Sequence, residues 1–258
     1  MYYRFKVCPV QGRQLLDVRK SDIFGDFRIC DTYRGGGGYD KLPAIIERRN
    51  ILSEKDGMLT NTVKQFVVQL YGCHLRCPYC YVTRDGIFGE YKEYTAEELV
   101  HNFMVAKDIY NVGVFHLMGG APALYINDWY SILLQLPTGT IFTSDLLLTE
   151  QPYDKDQLSA LRILGKNKGI YAVNIKGITD EDYKFNTGRK IDWALFWNNL
   201  KLVVNSGINF YITFTNPDMF YINKFKDKLT SLYGEHILDD SFIIDIKKYE
   251  AIKDAPAW

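Results

Sequence analysis

The sequence predicts an α/β protein: an open, curved sheet of six parallel strands wrapped by helices, preceded by a short β-rich extension. Two observations predict it. After residue 65, apolar strand segments alternate with helix-period segments, and that alternation calls for parallel pairing through right-handed crossovers. Six such strands are too few for a closed eight-fold barrel, so the sheet is expected to stay open. Before residue 62 the pattern is different, with short aromatic and β-branched runs between turn residues. The chain is therefore divided into an extension, 1–62, and a core, 63–258.

In the extension, Tyr2–Val10, Leu15–Lys20 and Phe27–Tyr33 read as strands. Gly35–Gly38 has no preference for strand or helix and reads as a connector; it lacks the Lys-Ser/Thr pair and following helix of a phosphate loop. Lys41–Arg49 suits one short helix before the polar stretch Ser53–Thr62.

Phe66–Tyr71 opens the core as a strand apolar enough for burial on both faces. Thr95 and Glu98 form a capping box for a helix that turns Leu99, Phe103 and Ala106 inward. Val114–Met118, Thr140–Leu148, Ile170–Ile175, Phe210–Phe214 and Phe242–Ile246 are the remaining strands. Between them Asp128–Leu136, Lys155–Leu164, Asp192–Asn205 and Met219–Tyr233 read as helices. In the third of these Ala194, Leu195, Leu202 and Val203 form the expected buried side, and Trp193, Phe196 and Trp197 read as packing residues.

Composition narrows the function. Lys+Arg 31 against Asp+Glu 31 leaves no net basic field, so nucleic acid is not indicated. No apolar run is long enough to span a bilayer, and the first six residues resemble neither a signal peptide nor a transit sequence, so no membrane partner and a cytoplasmic protein are expected. Cys8 and Cys30 read as free buried thiols.

The remaining cysteines carry the chemistry. Gly72–Tyr81 reads G-C-H-L-R-C-P-Y-C-Y, placing Cys73, Cys77 and Cys80 on one short loop directly after a strand. Structural zinc takes four ligands, usually as two paired knuckles, and no second pair exists. A four-iron cluster held by three thiolates leaves one iron open to an outside ligand. Zinc completed by His74 or a distant His, or three unconnected thiols, are the plainer alternatives.

The cysteine spacing, with the aromatic Tyr79 immediately before the third cysteine, resembles the radical S-adenosylmethionine (SAM) superfamily. The resemblance extends over about Phe66 to Tyr249 and is most similar in order and spacing to the short activating enzymes of glycyl radical enzymes, such as the pyruvate formate-lyase activating enzyme. It implies a partial (β/α)6 barrel of the radical SAM type. It also implies a [4Fe–4S] cluster and SAM as cofactors, with metal ligands Cys73, Cys77 and Cys80. The implied chemistry is an oxidoreductase or activase reaction: reductive cleavage of SAM to a 5′-deoxyadenosyl radical that abstracts hydrogen from a substrate C–H bond. No protein acid or base is needed for that step.

On the same resemblance, Tyr79 lies where the adenine is contacted. Gly119, Gly120, Ala121 and Pro122 match the family's Gly-Gly-Glu-Pro edge for the SAM amino group, with Ala in place of Glu. Ser144, with Asp145 beside it, falls where polar groups meet the SAM carboxylate or ribose. Asn174 and Lys176 align with an Asp-Leu-Lys segment that contacts SAM, and Gly188 fits a Thr-Gly turn. The implied partners are reduced flavodoxin or ferredoxin as electron donor and a substrate protein, peptide or small molecule. Alternatives are a nucleotide or RNA base as substrate, or a non-catalytic iron–sulfur or zinc-binding module.

Overall fold

The computed structural model describes residues 4–13, 21–31, 64–166, 168–238 and 244–247. Strands are β1 (Arg4–Val7), β2 (Ser21–Phe24), β3 (Phe27–Asp31), β4 (Lys64–Gln69), β5 (Lys92–Thr95), β6 (Val112–Met118), β7 (Ile141–Leu146), β8 (Gly169–Ile175), β9 (Phe210–Thr215) and β10 (Ile244–Lys247). Helices are α1 (Arg84–Phe88), α2 (Ala96–Tyr110), α3 (Trp129–Gln135), α4 (Lys155–Leu164), α5 (Asp180–Thr187), α6 (Trp193–Ser206) and α7 (Met219–Tyr233), with 3-10 turns at Pro122–Asp128 and Glu235–Leu238.

Eight strands form the main sheet, in the order β10-β9-β8-β7-β6-β4-β3-β2. The six from β4 to β10 in that row are parallel and follow chain order. They are the six strands expected from the sequence, and this is the partial barrel. β3 and β2 add an antiparallel hairpin at the β4 edge. The described part of the extension thus continues the core's own sheet. β1 pairs with β5, a strand the sequence reading missed, and also bridges to β4 through Val7 and Leu70. Leu15–Lys20, Gly35–Gly38, Lys41–Arg49 and Ser53–Thr62 lie outside the described residues.

Side-chain alternation along the strands divides the sheet into two unlike faces. Phe66, Val68, Phe115, Leu117, Phe142, Leu146, Tyr171, Val173, Phe210, Ile212 and Phe214 belong to one apolar core with the helices. The alternate positions carry Arg28, Gln65, Gln69, His116, Thr143, Asn174, Thr213 and Thr215, all buried. Burial on both faces is what parallel strands require, but here the inner face mixes these polar groups with the apolar Val67, Val114, Met118, Ala172 and Tyr211. The polar groups bond to each other: His116 Nδ1 lies 2.9 Å from Gln65 Oε1, and Gln65 Nε2 donates to Cys30 Sγ at 3.2 Å.

The helices begin where the side chains dictate. Thr95 and Glu98 make the reciprocal capping box of α2, whose buried face includes Leu99, Phe103 and Ala106. Asp154 and Gln157 do the same for α4. α6 departs from the expectation: its buried residues are Phe196, Asn199, Leu200 and Val203, while Ala194 is exposed and Leu195 and Leu202 are half-buried. The face is rotated because Asn199 points inward. Its amide donates to the carbonyls of Leu148 and Gln151, at 2.9 and 2.8 Å, and its carbonyl accepts the Tyr153 N–H at 2.9 Å. This amide, which the sequence reading did not single out, braces the turn after β7.

Candidate cluster and cofactor site

The parallel strands all end on the side from which the cysteine loop departs, the usual ligand-binding edge of α/β sheets. β4 leads into Leu70, whose N–H bonds the Met118 carbonyl at 2.9 Å, and Tyr71, whose N–H bonds Lys6 at 2.9 Å. Gly72 follows at φ +92°, a conformation that favours glycine. Its N–H reaches the Ile87 carbonyl at 2.8 Å, and its own carbonyl accepts the Ala121 N–H at 2.7 Å. The loop entrance is therefore tied to the turn after β6.

The other side of the loop is held by the turn after α5. Arg76 N–H donates to the Thr187 carbonyl at 2.7 Å, and Arg189 Nε donates to the His74 carbonyl at 2.9 Å. Gly188 lies between them at φ +63°, so close that an added Cβ would sit 2.9 Å from Arg76 Cβ. The Thr-Gly turn seen in the sequence thus supports the loop.

Cys73, Cys77 and Cys80 are each partly exposed, and Cys73 and Cys77 pack against Leu75, Leu147 and Tyr183. Burial pushes the Cys73 thiol up to about 12, with a hydrogen bond from Leu75 N–H opposing and Cys77, Glu150 and Cys80 adding to the rise. Cys80 is pushed up to about 11, again chiefly by burial and then by Cys77, with the Val82 backbone and Lys176 opposing. The three thiols are electrostatic neighbours. Among the described residues, however, no three His, Cys, Asp or Glu side chains converge as ligands of a single ion. In an iron–sulfur cluster each thiolate takes a different iron, and three cysteines on one loop are the donor set that such a cluster uses.

His74 is held neutral beside the loop. Burial and then Arg189 and Arg76 lower its pKa to about 4; its Nε2 lies 3.4 Å from Thr149 Oγ1, and its Nδ1 is buried without a hydrogen-bond partner. Arg76 turns back on the loop, donating to the Leu75 carbonyl at 3.0 Å, with its guanidinium 5.4 Å from the Phe88 ring centre.

The other sequence-predicted residues divide into two groups. Tyr79, Lys176 and the Gly119–Pro122 turn are brought to the loop: Lys176 Nζ lies 5.5 Å from the Tyr79 ring centre. At Gly120, φ +56°, an added Cβ would meet the Leu70 and Gly72 carbonyl oxygens at 2.3 and 2.5 Å. Ala121 is fully buried, and Pro122 begins the 3-10 turn. Asn174 lies on the inner face, where its Oδ1 accepts from Thr215 Oγ1 at 2.9 Å. Ser144 requires a correction. It shares the face of Phe142 and Leu146, which belong to the helix core, and its hydroxyl donates to the Leu117 carbonyl at 3.1 Å. By strand alternation Thr143 and Asp145 face the barrel interior.

Sequence reasoning missed Glu150. It lies four residues after the end of β7, and both carboxyl oxygens are buried with no hydrogen-bond partner, although part of the residue reaches the surface. Burial raises its pKa well above the usual carboxylate range; Asp145 adds to the rise and Lys176 opposes it. Thr149 beside it lies 2.7 Å from the Tyr183 hydroxyl. No sequence signal marks it, because a charged residue in a turn before Gln151-Pro152 ordinarily faces water.

A half barrel with three thiols on the loop after its first parallel strand defines a protein built to hold a cluster at the strand ends. The comparisons agree with that class, and the chain belongs to the radical SAM superfamily, whose family model matches residues 67–252. With that membership come the superfamily's cofactors, a [4Fe–4S] cluster and SAM.

Among solved structures, SuiB of Streptococcus suis aligns with 85% of this chain and 46% of its own at 16% identity, TM-score 0.52. That likeness establishes the fold. The structure of anSMEcpe with bound AdoMet covers 69% of this chain and 49% of its own at 16% identity, TM-score 0.45. The chain thus spans about half the length of these structures. No curated protein matches.

Proposed function

We propose that this chain is a radical SAM enzyme whose cluster is held by Cys73, Cys77 and Cys80. When bound, the cluster and SAM supply a 5′-deoxyadenosyl radical that takes hydrogen from a substrate C–H bond. The observation that carries this reading is the loop bearing Cys73, Cys77 and Cys80 at the strand ends of a six-stranded half barrel, within the stretch that the family model matches.

This chain's residues bind, orient and shield. Gly119 and Gly120 hold the turn against the loop entrance and keep a backbone edge open to the SAM amino group. Tyr79 and Lys176 together form an aromatic and cationic wall beside Cys80, suited to the adenine and carboxylate parts of SAM. Asn174 contributes an amide at the end of β8. The inner face, with Gln65, His116 and Thr143, lines the space beneath.

The substrate is read as a protein or peptide, in keeping with an activase-type reaction. Phe185 on α5 and Phe220 at the start of α7 are 72% and 80% exposed, and both helices stand at the rim. Asp218 N–H bonds Asp182 Oδ2 at 3.0 Å, linking the two helix starts. Exposed aromatics on a braced rim suit a macromolecular surface. A small molecule is the second reading, favoured by Ala121, which departs from the activating-enzyme pattern. Reduced flavodoxin or ferredoxin is the proposed electron donor. Anaerobic reconstitution followed by dithionite and SAM should yield 5′-deoxyadenosine; a correctly loaded protein that forms none would remove the catalytic reading.

A further inference from the structure

We infer that Glu150 is the carboxylate that receives the positive charge of SAM. This rests on the proposed cluster and SAM reading and adds a residue to it.

The turn bearing Glu150 is firmly supported. Asn199 holds its backbone at Leu148, Gln151 and Tyr153 with three hydrogen bonds. Gln151 Nε2 donates to the Ala123 carbonyl at 2.7 Å, fastening the turn to the segment that contains Ala121. Yet the carboxyl oxygens themselves are enclosed and have no partner. Burying a carboxylate unpaired is costly, and native structures rarely accept that without a purpose. A supported scaffold around an unsatisfied head is what a preorganised ligand contact requires.

The surroundings identify the ligand's charge. Asp145 and Cys73 act on Glu150 or feel its charge, and Lys176 is the cation that opposes them. Three thiolates at the loop would add further negative charge, so the incoming group should be positive. SAM brings a sulfonium, which is cationic but donates no hydrogen bond, and an amino group, whose N–H bonds donate whether or not the nitrogen is charged. Either would satisfy Glu150. Fully buried Ala121 offers no competing charge.

The test is equilibrium binding of SAM and S-adenosylhomocysteine to anaerobically reconstituted wild type and Glu150→Gln, with iron and sulfide matched, plus thermal unfolding of both unloaded proteins. Glu150→Gln should retain the cluster, bind SAM at least about 10-fold more weakly, and raise the unloaded Tm by a few degrees. Equal weakening of both ligands assigns the contact to the amino group; weakening of SAM alone assigns it to the sulfonium. Unchanged SAM affinity, a lower Tm or a lost cluster in the variant would overturn the inference while leaving the cofactor reading intact. Wild type that holds no cluster or binds no SAM would remove both.

Discussion

Ala121 donates its backbone N–H to the Gly72 carbonyl at 2.7 Å, clamping the turn after β6 onto the residue that precedes the first cysteine. The loop and the turn are therefore one unit, although the sequence separates them by a helix-bearing stretch. Their joint geometry depends on backbone contact that no side chain can replace.

Gly120→Ala should break that unit. At φ +56° its Cβ would lie 2.3 Å from Leu70 O and 2.5 Å from Gly72 O. The combined strain and clash should cost at least ~2 kcal/mol. Thermal unfolding should show a lower Tm, and iron retention after reconstitution should fall with it.

Gly188→Ala acts on the opposite side of the loop. A Cβ at φ +63° would approach Arg76 Cβ to 2.9 Å, and the left-handed conformation alone costs about 1 kcal/mol for alanine. Circular dichroism should report an intact fold while iron content drops, because the strain falls on the cysteine loop.

Asn199→Ala removes the brace under Glu150. It leaves the Leu148 and Gln151 carbonyls and the Tyr153 N–H without their present partner, a loss of about 2–4 kcal/mol. Calorimetry should show Tm falling by roughly 5–12 °C. SAM affinity should fall as well.

Cluster assembly should depend steeply on pH. Cys73 and Cys80 have pKa values raised to about 12 and about 11, so both are protonated at neutral pH and must each release a proton to bind iron. Rising pH therefore favours loading, by up to about 100-fold in apparent affinity per pH unit from these two thiols. Iron-binding titrations between pH 7 and 9 should show that rise; a flat profile would mean the thiols are already ionised.

Lys176→Met should separate SAM binding from cluster binding. Its ammonium stands 5.5 Å from the Tyr79 ring centre and is not a ligand of iron. Isothermal titration should show SAM affinity weakened about 10-fold, the scale of one lost charged contact. Iron content should match wild type.

Much of the fold was legible because parallel strands announce themselves as apolar runs. Val112–Met118 and Gly169–Ile175 are buried at every residue, which a single sequence displays directly. The capping box at Thr95 and Glu98 was equally plain. The extension's role was hidden because β1 pairs with β5 and β3 with β4, distant segments whose pairing is set by tertiary register. Helix α5, at Asp180–Thr187, is short and strongly polar, and the sequence reading assigned it no element.

In the site, the loop carrying Cys73, Cys77 and Cys80 was legible from spacing, and their role as cluster ligands is what the family resemblance implies. Ser144 was misjudged because strand polarity does not reveal which face a residue occupies; its neighbours Phe142 and Leu146 decide that. Glu150 and Asn199 were missed for a related reason. A charged residue in a turn and an amide on a helix ordinarily face water, and only the packed structure shows that both point inward.

The most direct measurement is electron paramagnetic resonance of anaerobically reconstituted, dithionite-reduced protein, with iron counted in the same sample. The account predicts about four irons per chain, a reduced [4Fe–4S] signal that changes shape when SAM is added, and loss of that signal in Cys77→Ala. A single bound zinc, or a four-iron signal indifferent to SAM, would contradict it.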